Sequence, residues 1–202
     1  MLTHHDHGLR ALLARFTAWE HRLVIRFNRP NRRRLLSVFF GAVSRLGDGL
    51  FWYLLMAGLL ILDGVAALEP VLVMILTGIA GTLTYKGLKA ATTRQRPCQR
   101  HPGIRLTTLP LDLYSFPSGH TLHAVSFTVV AVTYYPWLTP WLVSFALLVA
   151  LSRLILGLHY LSDVLVGALI GGTLALGKVC TTVASGRSAR RTERSDRDIT
   201  MS

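Results

Sequence analysis

At 202 residues the chain has room for one domain, and 51% hydrophobic against 16% charged residues is rich for a soluble protein, so a membrane class is the first expectation. A net charge of +12 invites nucleic acid. Lys and Arg crowd at the two ends instead of interleaving with aromatics along a face, so no nucleic-acid partner is expected.

Residues 1–34 hold eight arginines, at positions 10, 15, 22, 26, 29, 32, 33 and 34, against Asp6 and Glu20. No cleaved leader is expected, because no apolar core and small-residue cleavage site follow a basic start. Leu9, Leu12, Leu13, Phe16, Trp19 and Leu23 recur at three- and four-residue steps between the arginines. That pattern predicts an amphipathic helix, either lying in a membrane interface or packed against the rest of the protein.

A short apolar stretch, 35–43, ends in Ser44-Arg45-Leu46-Gly47-Asp48-Gly49. Longer ones cover 50–68, interrupted by Asp63, and 71–88. Residues 89–117 form a polar connection with four prolines. From 113 to 152 there is no Asp, Glu, Lys or Arg, and Pro136 and Pro140 divide this run into two crossings. The last segment, 163–180, carries Gly167 and Gly171 in a GxxxG spacing that lets helices approach closely.

The expectation is an all-α polytopic membrane bundle of about six transmembrane helices, preceded by the amphipathic helix. Residues 1–34 are a cytoplasmic basic segment, 35–182 the membrane-embedded domain, and 183–202 a basic, disordered cytoplasmic tail. The first stretch falls short of the ~20 residues that span a bilayer, so five crossings is the alternative. With six, fourteen Lys and Arg share one side, eight before residue 35 and six from Lys178 onward. Lys and Arg hold loops in the cytoplasm, so both ends are placed there and 89–117 outside. Cys98 and Cys180 then lie on opposite faces, too far apart for a disulfide.

Three charged clusters fall together on the outer face in that arrangement: Lys89 with Arg96-Pro97, then Pro117-Ser118-Gly119-His120, then Ser152-Arg153 with His159 and Asp163. Taken singly, a basic residue at a helix end is a snorkelling anchor, Asp163 a cap and a histidine a packing group. Taken together, ionisable groups at the edges of apolar segments point to function. Lys89, Arg96 and Arg153 can neutralise phosphate oxygens, and the Ser118 and Gly119 amides at a proline-started helix can point at an anion. His159 and Asp163 are four apart, so the carboxylate can orient the imidazole as nucleophile while His120 serves as general acid. His123 either faces the same cavity or packs, and Arg45 and Asp48 either line it or pair with each other. Asp48, Asp112 and Asp163 form no carboxylate cluster, so no metal and no cofactor is expected.

The motifs K-x6-RP, PSGH and SR-x5-H-x3-D, present here from Lys89 to Asp163, resemble those of the type-2 phosphatidic acid phosphatase superfamily. The resemblance implies a metal-independent phosphatase in which Lys89, Arg96, Ser118, Gly119 and Arg153 hold phosphate. His159 would form a phosphohistidine, Asp163 orient it and His120 act as acid. That superfamily includes soluble vanadate-dependent haloperoxidases, but the apolar segments resemble its bacterial membrane branch, which acts on undecaprenyl pyrophosphate, phosphatidylglycerophosphate and phosphatidic acid. The implied protein is an enzyme of the bacterial inner membrane whose site faces the periplasm or outer side and whose partners are the bilayer and a lipid phosphate, undecaprenyl pyrophosphate first. A phosphotransferase passing phosphate to a lipid such as lipid A shares every motif. A transporter or scaffold is the reading from a different class. Nothing in the sequence sets an oligomeric state.

Overall fold

The computed structural model describes residues 3–110 and 112–200, with side chains at 3–7, 9, 10, 13 and 183–200 outside the described set. Eight α-helices follow in order: α1 (Thr3–Asn28), α2 (Arg34–Gly47), α3 (Leu50–Asp63), α4 (Leu68–Thr92), the single turn α5 (Pro97–Arg100), α6 (Gly119–Tyr134), α7 (Thr139–Ile155) and α8 (Leu161–Thr200). Among the described residues the one extended pairing is an isolated bridge between Gln95 and Tyr114. The protein is all-helical, as expected.

Proline and capping chemistry set the boundaries. Ser118 caps α6, and Pro136 and Pro140 open the short 3-10 turn Pro136–Leu138 and the first turn of α7. Three stretches are long and apolar enough to cross a membrane: Leu50–Thr92, which holds α3 and α4, then Pro136–Ile155 and Leu161–Thr182. Ile61, Leu62, Leu72, Leu83, Leu169 and Leu176 are exposed, the surface of a bundle whose solvent is hydrocarbon. The tail 183–202, expected to be disordered, lies beyond the described side chains; the backbone of α8 is helical to Thr200.

α6 and α8 form the tightest contact. A Cβ on Gly171 would lie 2.3 Å from the Leu122 carbonyl oxygen, and one on Gly167 2.6 Å from the Ser118 carbonyl oxygen. The GxxxG pair thus brings two backbones together, as its spacing predicts.

α2 and α3 make one interrupted descent. Phe40 packs on Ile155, Leu156 and Leu158; Ser44 meets Arg153; Gly47 faces Val149; and Phe51 and Trp52 meet Phe145. Each step along α2 and α3 therefore moves down α7. The break at Asp48 and Gly49 lies within this path, and Gly49 has φ 137°, a conformation that side chains with a Cβ rarely adopt.

The start of the chain also sits where the clusters are. On α1, Val24 packs with Ile104 and Tyr160, His21 meets His101 edge-on at 4.3 Å, and Asn28 donates to the Ile155 carbonyl at 2.8 Å. Leu12, Phe16, Trp19 and Ile25 on α1 are exposed, as are Arg15, Arg22 and Arg26, so the helix is packed on one side and mixed apolar and basic elsewhere. Through these contacts α1 lies at the end of the bundle opposite to the one toward which α8 runs.

Gly171→Val forces a side chain into the α6 backbone, and an overpacked contact of this kind costs about 1–3 kcal/mol. The expected result is a lower unfolding temperature in detergent, while Gly177→Val, where nothing lies within 4 Å of the added Cβ, leaves it within about a degree.

Candidate active site

The end of the bundle bearing the charged motifs encloses a cavity of about 800 Å³. Lys89 from α4, Arg96 from the connection, Gly119 and His120 from the start of α6, and Arg153 from α7 all line it. So do Asp48 and Asp112, and below them Trp52, Met56, Ile75, Ile79, Leu83 and Phe127. One cavity therefore has a charged head and an apolar wall.

The cations are buried, and an aspartate joins two of them. Asp112 accepts from Lys89 Nζ at 2.5 Å through Oδ2 and from Arg96 Nη2 at 2.5 Å through Oδ1. Burial alone raises the Asp112 carboxyl, but Lys89 and then Arg96 outweigh it and hold it below the usual carboxylate range. Its two oxygens occupy the donors that a phosphate would take. Arg153 donates to Ser44 Oγ, and its Nε is buried without a protein partner.

His159 lies one layer behind these groups in the turn between α7 and α8, fully buried. Arg96 Nη1 is 3.3 Å from His159 Nε2 and also donates to the Leu158 carbonyl at 2.8 Å. Burial, then Arg96 and Arg153, hold the imidazole well below its ordinary range and hence neutral. With Arg96 as donor, Nε2 carries the lone pair and faces the cations. Nδ1 points at Asp163 Oδ2 across 3.5 Å, an ion-pair separation without a formed hydrogen bond.

Asp163 is held by more than the sequence indicates. Its Oδ2 accepts from the Tyr160 amide at 2.8 Å and its Oδ1 from Arg94 Nη1 at 2.6 Å. Arg94 reaches in turn to Glu20 on α1 at 2.6 Å, and Glu20 accepts from the Ser162 amide at 3.0 Å. A carboxylate from α1 thereby caps the first turn of α8, where a negative charge is favoured. Neither Arg94 nor Glu20 stood out in the sequence. Glu20, one of two acids among the eight arginines of residues 1–34, was the available signal.

Ser118 departs from its expected role. Its amide donates to the Asp163 carbonyl at 2.9 Å and its hydroxyl pairs with Thr121 Oγ1 at 3.0 Å, so it fixes α6 against α8 instead of presenting donors to the cavity. Gly119, next in line, does face the cavity. His120 Nε2 is bonded to Asp48 Oδ1, which resolves the two readings of Asp48: it lines the cavity. His123 lines the same wall and meets Thr82 Oγ1 at 3.3 Å. Among the described residues no group of three or more His, Cys, Asp or Glu could hold a metal ion.

Helices long and apolar enough for a bilayer, with a buried set of cations and histidines at one end, are the features of a membrane-protein class. Residues 66–187, more than half of the chain, match the family model described as PAP2 superfamily, and the chain belongs to that family. It is 37% identical over 105 residues to decaprenylphosphoryl-5-phosphoribose phosphatase of Mycobacterium tuberculosis, covering 52% of this chain and 55% of that one. It is 30% identical over 139 residues to a probable lipid phosphate phosphatase beta of Arabidopsis thaliana, covering 54% and 64%. The chain thus spans about half the length of the mycobacterial relative. Among solved structures it resembles Aquifex aeolicus LpxE with TM-score 0.67 and 29% identity, over 78% of this chain and 93% of that one. A transmembrane PAP2-type phosphatidylglycerolphosphate phosphatase from Bacillus subtilis shares the fold, with TM-score 0.69, 23% identity and coverage of 84% and 87%.

Two outcomes follow from this geometry. Arg94→Ala leaves Glu20 and Asp163 buried and unpaired, a loss of about 3–5 kcal/mol, read as a fall in unfolding temperature in detergent. Asp112→Asn removes the internal competitor for Lys89 and Arg96, so orthophosphate binds roughly tenfold more tightly by calorimetry, the equivalent of about 1.4 kcal/mol; weaker binding would mean that Asp112 supports the anion site.

Proposed function

We propose that this chain hydrolyses a phosphate ester or pyrophosphate of a membrane lipid through a phosphohistidine. The observation that carries the reading is the continuous cavity: cations and His120 at its head, and an apolar wall from α3 and α4 that suits a hydrocarbon chain. The buried, unpartnered Nε of Arg153 is a donor that a phosphate oxygen would satisfy.

In the proposed reaction, substrate phosphate displaces the Asp112 carboxylate and takes Lys89, Arg96, Arg153 and the Gly119 amide as its partners. His159 Nε2 attacks phosphorus, the bond from phosphorus to the leaving oxygen breaks, and His120 gives that oxygen a proton. Asp163 steadies the positive charge on the phosphorylated imidazole. Water then attacks phosphorus, His120 takes its proton, and the P–N bond breaks to release phosphate. The cations do the work that metal ions do in other phosphoryl transfers, so full turnover is expected in excess EDTA.

The motif residues hold phosphate and leave the lipid unread. Undecaprenyl pyrophosphate is the first candidate, and the name of the mycobacterial relative adds a polyprenyl-linked sugar phosphate as the second. A panel of lipid mono- and pyrophosphates, assayed for inorganic phosphate, tests the class. His159→Ala is expected to abolish release, by at least about 10³-fold, with expression unchanged. Retained function in that variant would favour a transporter or scaffold, and release only with an acceptor lipid present would favour phosphotransfer.

We also infer five crossings, by α2 with α3, α4, α6, α7 and α8, and this changes the orientation to propose. The eight arginines before residue 35 belong to the segment at the site's own end, whereas six Lys and Arg follow from Lys178 toward the other end. The Lys and Arg bias then favours a cytoplasmic site face, the reverse of the six-pass reading. Reporters placed before α1 and after α8 are expected on opposite sides of the membrane; the same side for both would restore six crossings.

A further inference from the structure

The break between α2 and α3 carries an ionisable group into the cavity. Gly47, Asp48 and Gly49 all line it. Irregular backbone at membrane depth is tolerated where it borders a cavity, and an acid placed there is expensive unless it has a partner. Helix ends offer Asp48 other uses, such as capping or pairing with Arg45, yet its carboxylate goes to His120 Nε2 across 72 positions of sequence. Gly49, with φ 137°, supplies the turn that aims it.

The surroundings explain why a carboxylate is wanted. Lys89 from α4, Arg96 from the connection and Arg153 from α7 line the same cavity as His120, so its surroundings there are strongly cationic. Asp112 is already engaged by Lys89 and Arg96. Asp48 is the remaining acid in the cavity lining and the one bonded to His120.

We propose that Asp48 is the positioning residue of the leaving-group acid: it holds His120 by Nε2–H, so that the proton on Nδ1 is the one delivered to the departing oxygen. The proposal rests on the reading of His120 as general acid. In the step itself the phosphorus–oxygen bond breaks, the oxygen takes the Nδ1 proton and the ring returns to neutral, still donating through Nε2 to the unchanged carboxylate. A second carboxylate–histidine pair, built from outside the three motifs, thereby serves the leaving group as Asp163 serves the nucleophile.

The test compares two leaving groups in detergent. Dodecyl phosphate expels a strongly basic alkoxide that needs a proton, whereas 4-nitrophenyl phosphate expels a weakly basic phenoxide that hardly does. Asp48→Asn is expected to lower the ratio of kcat/KM on dodecyl phosphate to that on 4-nitrophenyl phosphate by about 10²-fold, and Asp48→Glu to lower it less. An equal fall on both substrates, or equal ratios in the two variants, overturns the assignment. His120→Ala separates the two layers of the argument. If it shows the same selective loss and Asp48→Asn does not, only the role of Asp48 fails; if it shows no selectivity, the acid role of His120 fails and the role of Asp48 with it.

Discussion

Three cations, Lys89, Arg96 and Arg153, are buried close together at one end of an apolar bundle, and the cost of keeping like charges out of water governs what surrounds them. Each has an oxygen partner that no regular helix contact would require. Asp112 joins Lys89 to Arg96, the Leu158 carbonyl takes Arg96 again, and Ser44 reaches Arg153 from a different helix. Those partners come from the connection before α6, the α7–α8 turn and α2. Neutralising the cluster therefore ties together segments that the apolar packing of α4, α6, α7 and α8 would leave independent.

The same requirement explains the start of the chain. A helix with four arginines between positions 10 and 26 has little reason to enter a bundle, yet α1 brings Glu20 to full burial. What it meets there is Arg94 and the first turn of α8, both short of negative charge. Asn28 and Asn31 complete the attachment by accepting and donating at Arg105. The connection 94–105 is thus pinned between α1 and the motif helices, which matters because Arg96 lies on it. A loop that carries a residue of the charged cluster gains precision from being held at both faces.

The motif residues were legible in the sequence because their type is costly where they stand and their spacing is fixed. The start of α6 after Pro117 and the GxxxG of α8 each impose a local geometry that the fold reproduces, whereas His159 lies in the turn before α8 with its Nδ1 3.5 Å from Asp163 Oδ2. What could not be read were relations across long separations. Asp48 and His120 are 72 residues apart, and Glu20 and Ser162 are 142 apart, with no periodicity linking either pair. A helix N-terminus reads as free in the sequence, whereas the Ser118 amide donates to the Asp163 carbonyl of the neighbouring helix. The number of crossings around 35–46 is a relation of the same kind. Hydropathy reports how apolar a stretch is, and it is silent on whether two stretches joined by Gly-Asp-Gly belong to one path.

A site so densely paired also bears on how the proposed chemistry begins. His159 Nε2 faces Arg96, and Arg96 and Asp112 stand between it and the cavity. A water molecule entering the cavity meets neither an exposed imidazole nor an unpaired cation pair, which keeps an activated nucleophile from being wasted. Phosphate brings at least two anionic oxygens and more acceptor sites than the Asp112 carboxylate, so it can satisfy Lys89 and Arg96 and also the unpartnered Arg153 Nε. In the proposed reaction, selectivity for phosphate over a carboxylate-bearing lipid would then arise from that third cation. An anion that matches only Lys89 and Arg96 gains nothing over the internal aspartate, and one that also engages Arg153 does.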